Sequence, residues 1–281
     1  QQGKPVIDFS AKFGIETLPD LNLMDTTDFF YYNDMAYENA GLTPQNHFEN
    51  NTDWQEEVLK TGYTSDYNIG ISGGSETSNY LVSANYFSNT GTLIKTGLER
   101  YSVRVNSELR KGALTIGENI AITNTQVRPY SGGNPITDVM RMTPDIPVYD
   151  STNFGGYGFG DEARARTFGT NPIAIQNIIN QRSENTRLRG NIFGELELFK
   201  IIKYKLNVGY ETSFDSFKSL RKEGDFTLNL PYEVSNIYEN KARYQSMLID
   251  NLITLEESFG SHNVNAVLGS RFQREGYEQI W

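Results

Sequence analysis

The groups that could carry chemistry in this chain are few and scattered. There is no cysteine, and the two histidines, His47 and His262, lie far apart with no second ligand set beside either. Both are therefore expected to be polar surface residues rather than metal ligands. Asp161 and Glu162 are adjacent acids, but no partner at a definable separation makes them a glycosidase pair. Gly156, Gly158 and Gly160 have the spacing of a phosphate-cradling loop, yet the segment neither follows a strand pattern nor opens a helix pattern. HExxH, CxxC, GxSxG and Walker A patterns do not occur. No catalytic residue, metal or cofactor is assigned on this basis, and an enzyme is the weaker reading.

The elements that would position any binding groups are easier to read. The chain has 281 residues, with 25 Lys+Arg against 35 Asp+Glu and a net charge of -10. Mean hydropathy is -0.52 and the pI is about 4.8. No apolar run approaches the ~18 residues of a membrane-spanning helix, and an acidic chain is a poor general partner for nucleic acid. Strands are a different matter, because a transmembrane strand needs only about 9–11 residues with one apolar face.

Alternation with a two-residue period dominates the sequence. Ile7, Phe9, Ala11, Phe13 and Ile15 alternate with polar or small residues, as do Tyr80, Val82, Ala84 and Tyr86. Leu114, Ile116, Ile120 and Ile122 form a similar run, with Glu118 out of phase, and Tyr204, Leu206, Val208 and Tyr210 another. In 244–256, Asp250 and Asn251 put a polar residue on each face. Nine candidate strands result.

Their connections are expected at about 17–65, 73–78, 88–99, 111–112, 125–185, 200–202, 215–240 and 259–262. Long and short joints alternate, so an antiparallel sheet would carry tight turns at one end and bulky loops at the other. Outer-membrane β-barrels have this asymmetry. The pairs Tyr80/Tyr86 and Tyr204/Tyr210 are spaced to bracket an apolar band between aromatic girdles. A soluble β-sandwich with one solvated face is the alternative. Since single-chain bacterial barrels close with an even number of strands, nine would form part of a barrel within a longer polypeptide.

The long connections carry their own signals. Asp25, Phe29, Phe30, Tyr32, Met35 and Gly41 predict a capped helix, and Asp53–Leu59 predicts another turn or two. Both helices are expected to pack loop against barrel mouth. Segment 125–185 holds five prolines and the glycine–aromatic stretch 154–160, and a loop of this length is commonly functional.

Several blocks resemble the SusC/RagA branch of TonB-dependent outer-membrane transporters. They are Asn51-Thr52-Asp53-Trp54, Tyr67–Glu76, Tyr80–Phe87 with Gly91, Arg100–Asn106, Gly117-Glu118-Asn119 and Asn171-Pro172-Ile173-Ala174. The resemblance implies an all-β fold: part of a transmembrane antiparallel barrel, about nine strands of a probable 22, with short helices in the extracellular loops. Residues 1–281 would be the first portion of the barrel domain, just after the plug. It also implies residence in the bacterial outer membrane, contact with its lipid, a SusD-like lipoprotein lid, and energy from TonB through the plug, which these residues do not include. The cargo would be oligosaccharide, or peptide as in the RagA group; a secreted all-β binding module or adhesin is the competing class. In the importer reading, sugar rings stack on aromatic faces while carboxylates and amides bond to hydroxyls. The loop residues expected to do so are Tyr130, Phe154, Tyr157, Phe159, Asp161, Glu162 and Arg164, each of which has loop packing as its competing role.

Overall fold

The structure is a computed structural model describing residues 3–160, 167, 169–199, 201–225 and 232–281. Nine strands form a single antiparallel sheet in which every strand pairs with its neighbours in sequence. In order they are β1 (Gly3–Glu16), β2 (Gly62–Gly74), β3 (Ser78–Thr90), β4 (Gly97–Lys111) and β5 (Leu114–Arg128), then β6 (Ile179–Leu198), β7 (Ile202–Arg221), β8 (Asn236–Phe259) and β9 (His262–Ile280). The order is that of a barrel wall, open between β1 and β9. The connections at 75–77, 112–113 and 260–261 are tight turns at one end, where β6 and β7 are also joined by only three residues. At the other end lie 17–61, 91–96, 129–178 and 222–235.

The expected sorting of joints therefore holds, with one weak member. The β3–β4 joint shrinks to 91–96 because pairing continues to Thr90↔Gly97. The β7–β8 joint also shortens, since β7 and β8 remain paired out to Arg221↔Asn236. There the polar residues that suggested a loop are simply strand residues beyond the apolar band.

Register decides which side chains share a face. Ile7, Ile71, Val82, Val105 and Ile120 lie opposite one another in succession, and the row continues through Gly190, Tyr210 and Met247. On the same face Phe13 meets Tyr67 edge-on at 5.6 Å, Tyr67 stacks on Tyr86 at 6.2 Å, and Tyr86 meets Tyr101 at 4.9 Å. These four rings cross four adjacent strands and bound the apolar band on the loop side. From Tyr101 down to Leu109 the strand runs roughly 27 Å. Tilted by 35–45°, that covers roughly 20 Å, close to the ~25 Å apolar band of a transmembrane barrel.

The out-of-phase polar residues of this face are answered locally. Ser107 Oγ donates to Glu118 Oε1 at 2.5 Å, and the Tyr204 hydroxyl donates to Asn251 Oδ1 at 2.7 Å. Asp250, on the opposite face, accepts from Arg271 Nε at 2.7 Å.

Among the described residues four helices sit in the loops: α1 (Thr26–Asn39), α2 (Trp54–Val58), α3 (Pro135–Arg141) and α4 (Pro172–Ile178). The first two match expectation, with Asp25 Oδ1 accepting from Asp28 N and Asp53 Oδ1 from Glu56 N, both at 2.9 Å. Sequence reasoning missed α3 and α4. Each starts with an asparagine N-cap followed by proline at the first helical position, Asn134-Pro135 and Asn171-Pro172, which is a helix-start signal.

Candidate functional site

Two regions are built to meet a ligand: the polar face of the wall and the cap formed by the loops. The polar face carries Arg104, Asn106, Asn119, Arg189, Asn191 and Arg271 among others, contributed by alternate residues of their strands. Hollows of about 740, 560 and 350 Å³ open on this side. The first touches six consecutive strands, β4 to β9, so the sheet curls toward its polar face and the apolar face is the convex one.

An amide ladder crosses the first hollow: Asn119 Nδ2 donates to Asn191 Oδ1 at 3.4 Å, and Asn191 Nδ2 to Asn207 Oδ1 at 2.7 Å. Asn106 lies opposite Asn119 in the register. A second polar cluster joins Asn85 to Asp66 and Asn68, at 2.5 and 2.8 Å. Such a surface offers many donors and acceptors to a hydroxyl- or amide-rich solute.

The cap has a hydrophobic core. Trp54, Val58, Val139, Met142, Ile146 and Ile173 are buried together, with Leu21, Phe48, Leu59, Leu93, Ile94, Val148 and Tyr157 packed around them. The core draws on three separate connections. Trp54 Nε1 donates to Thr143 O at 2.9 Å, Thr52 Oγ1 to Ile146 O at 2.7 Å, and Ile94 N to Val58 O at 3.0 Å. Asn171 is fully buried at the centre: its Oδ1 accepts from Ile173 N and Ala174 N, and its Nδ2 donates to Gly158 O and Val148 O.

The sequence-predicted contacts separate in this frame. Phe154 is exposed and Phe159 half-buried. Tyr157 packs between the two hydrophobic clusters of the cap, and burial raises its phenol pKa. Tyr130 also turns inward; burial first, then the Asp138 carboxylate, push its phenol up. Asp161, Glu162 and Arg164 lie outside the described residues.

The glycine-rich stretch is a packed turn. Gly155 and Gly156 adopt positive φ of 93° and 81°, and a Cβ on Gly155 would stand 2.8 Å from Gly224 Cα. Gly158 N donates to Val148 O at 3.1 Å. This segment is loop architecture rather than a phosphate cradle.

His47 differs from its expected place at the surface. Its side chain is only 14% exposed, stacked on Phe30 with ring centroids 4.0 Å apart, and Nε2 lies 2.8 Å from Asp34 Oδ1. Asp145, fully buried, is 3.7 Å from Nδ1. Periodicity could not show this, because the three residues come from two different loops. His262 is exposed at the start of β9. Among the described residues, no three His, Cys, Asp or Glu side chains are grouped to hold a metal.

A curled antiparallel wall with a polar hollow, an apolar back and capped loops at one end defines the class: a segment of β-barrel wall. Comparison with known proteins gives that class its relatives. The chain is 26% identical over 290 residues to TonB-dependent receptor P3 of Formosa agariphila, covering 96% of this chain and 27% of the relative. It is 23% identical over 256 residues to TonB-dependent receptor SusC of Bacteroides thetaiotaomicron, covering 82% of this chain and 25% of that protein. The chain thus spans about a quarter of the length of the curated relatives it matches. Solved structures of the RagAB peptide transporter, and of the RagAB peptide importer in its open-open state, superpose with TM-scores of 0.72 and 0.74 at 20% identity. They cover 98% and 99% of this chain and 36% of each larger chain. No sequence-family profile matches the chain.

Proposed function

We propose that this chain is part of the barrel wall of a TonB-dependent importer in a bacterial outer membrane. The observation carrying the proposal is the register: one continuous apolar face with an aromatic row lies on the convex side, and a hydrogen-bonding face lines the hollow. Apolar residues such as Phe9 and Leu268, each about 70% exposed at 68% and 72%, are costly in water and at home against lipid. A secreted sandwich would bury such a face against a second sheet, and all nine strands here belong to one. The wall holds the solute path, the loops form its outer mouth, a SusD-like lipoprotein covers that mouth, and TonB supplies energy through a plug.

The cargo favoured by the amide-rich hollow is an oligosaccharide, whose hydroxyls match the asparagine ladder. Peptide is the second reading, supported by the RagAB likeness. The test is expression of the full-length polypeptide in an outer-membrane host, followed by fractionation and uptake of labelled oligosaccharides and peptides with and without TonB. The proposal expects the protein in the outer-membrane fraction and TonB-dependent uptake of oligosaccharide. Release in soluble form without detergent would overturn it, and uptake of peptides alone would select the second reading.

A further inference from the structure

Five positive charges of the concave face are answered by the wall's own carboxylates. Arg110 faces Glu197 at 3.5 Å, Arg187 faces Glu211 at 3.6 Å, and Lys205 faces Glu195 at 3.8 Å. Lys203 meets Glu256 at 2.8 Å, and Arg271 holds Asp250 through two hydrogen bonds of 2.7 and 3.2 Å. Two arginines in the large hollow have no such partner. Among the described residues, Arg104 and Arg189 make no hydrogen bond or ion pair, although Glu211 stands directly opposite Arg189 in the register. That carboxylate is drawn instead toward Arg187.

The two free guanidinium groups belong to one row. Arg104 lies opposite Ala121 and Ala121 opposite Arg189, so their Cα atoms are roughly 10 Å apart, two strand spacings. The residue between them is a small alanine, and all three line the first hollow. Arg104 also borders the neighbouring hollow on β1 to β4. Within the first hollow the other charged groups are Arg271, already paired, and Glu211.

From this juxtaposition we propose that Arg104 and Arg189 form an anion clamp for an acidic solute, an oligomer bearing carboxylate groups. Guanidinium groups match oxyanions in charge and in the geometry of their donors. The neighbouring asparagines supply neutral hydrogen bonds to the remainder of the ligand. The hollow falls within the roughly 300–1,000 Å³ of small-molecule sites. Two unanswered cations at one point of the polar face concentrate a local attraction for anions there. The clamp rests on reading the polar face as the solute path.

The test uses the purified full-length polypeptide in detergent and reads the guanidinium groups directly. Phenylglyoxal modification of Arg104 and Arg189 is followed by peptide mass spectrometry. It is run alone and with trigalacturonate, its neutral methyl ester, sodium acetate or sodium sulfate. Both arginines should react when no anion is added. Trigalacturonate should slow them about tenfold, as a tight charge-assisted contact would, while the methyl ester should leave the rate unchanged. Protection by sulfate alone would mark a sulfated rather than a carboxylated solute and overturn the carboxylate assignment. Arginines unreactive without added anion would mean that the protein's own chain covers them. That outcome, or equal protection by ester and acid, or none by any anion, would overturn the clamp. The assay needs no transport, so its failure is separable from failure of the importer reading, which rests on fractionation and uptake.

Discussion

The cap and the wall treat apolar side chains in opposite ways. Trp54, Val139 and Ile146 in the cap are 2%, 0% and 0% exposed, while Val103 and Ile122 on the wall are 47% and 49% exposed. The buried hydrophobic residues found among the described part of the chain belong to the loops and to Ile179, where β6 begins. A soluble protein places its core between its regular elements and leaves its loops wet. Here the regular element lacks an interior of its own and the loops have one. The same driving force, removal of apolar surface from water, is met by side chains in the cap and requires lipid at the wall.

Substitutions separate cap from wall, and the largest effect belongs to the cap. Trp54→Ala removes a buried ring and its bond to Thr143 O, and should destabilise the cap by about 3–5 kcal/mol. Hydrogen exchange should show the loops losing protection while β4 to β8 retain theirs. Equal loss in the strands would mean that cap and wall are one cooperative unit.

At the wall, Ile120 lies on the convex face about midway between the aromatic row and the tight turns, and Asn119 is its neighbour on the concave face. Ile120→Arg should cost about 2–4 kcal/mol in a bilayer, the penalty for a cation at mid-depth of a barrel's lipid face. Asn119→Arg should be close to neutral. Refolding into lipid vesicles measured against denaturant would read both, and similar costs for the two would contradict the assignment of faces.

A finer distinction lies within the cap. Asn134 is an exposed helix cap and Asn171 a buried one with four hydrogen bonds. Asn134→Ala should cost about 1 kcal/mol. Asn171→Ala should cost about 2–3 kcal/mol, because the carbonyls of Val148 and Gly158 and two helical N–H groups lose their buried partner. Limited proteolysis of the loops, compared between the two variants, reads the difference.

The wall was legible in the sequence because a strand writes its environment into every second residue. Runs such as Ile7–Ile15 and Tyr204–Tyr210 state the period without reference to any other part of the chain. Helices α1 and α2 were legible through Asp25 and Asp53. The cap core was not, since Trp54, Val139 and Ile173 come from connections distant in sequence, and helices of five and seven residues are too short to display a period. Candidate contacts could not be sorted for a related reason: an aromatic residue in a loop looks the same in sequence whether it faces the mouth or, as Tyr130 and Tyr157 do, turns inward. Arg104 and Arg189 stood in the alternation as ordinary polar residues. That they lack partners, while Arg187 and Arg271 have them, emerges only once register places every carboxylate.

Alternate residues of each strand meet lipid and water in turn. This alternation is directly measurable by single-cysteine spin labelling of the full-length polypeptide in a bilayer, along β4 from 102 to 106; these 281 residues hold no cysteine, and any elsewhere in the polypeptide is first replaced by serine. Labels at 103 and 105 should collide with oxygen, which concentrates in lipid, and labels at 102, 104 and 106 with a water-soluble nickel chelate. A strict two-residue alternation of these accessibilities is the predicted result. Uniform access of the chelate to all five positions, or alternation in the opposite phase, would contradict the account.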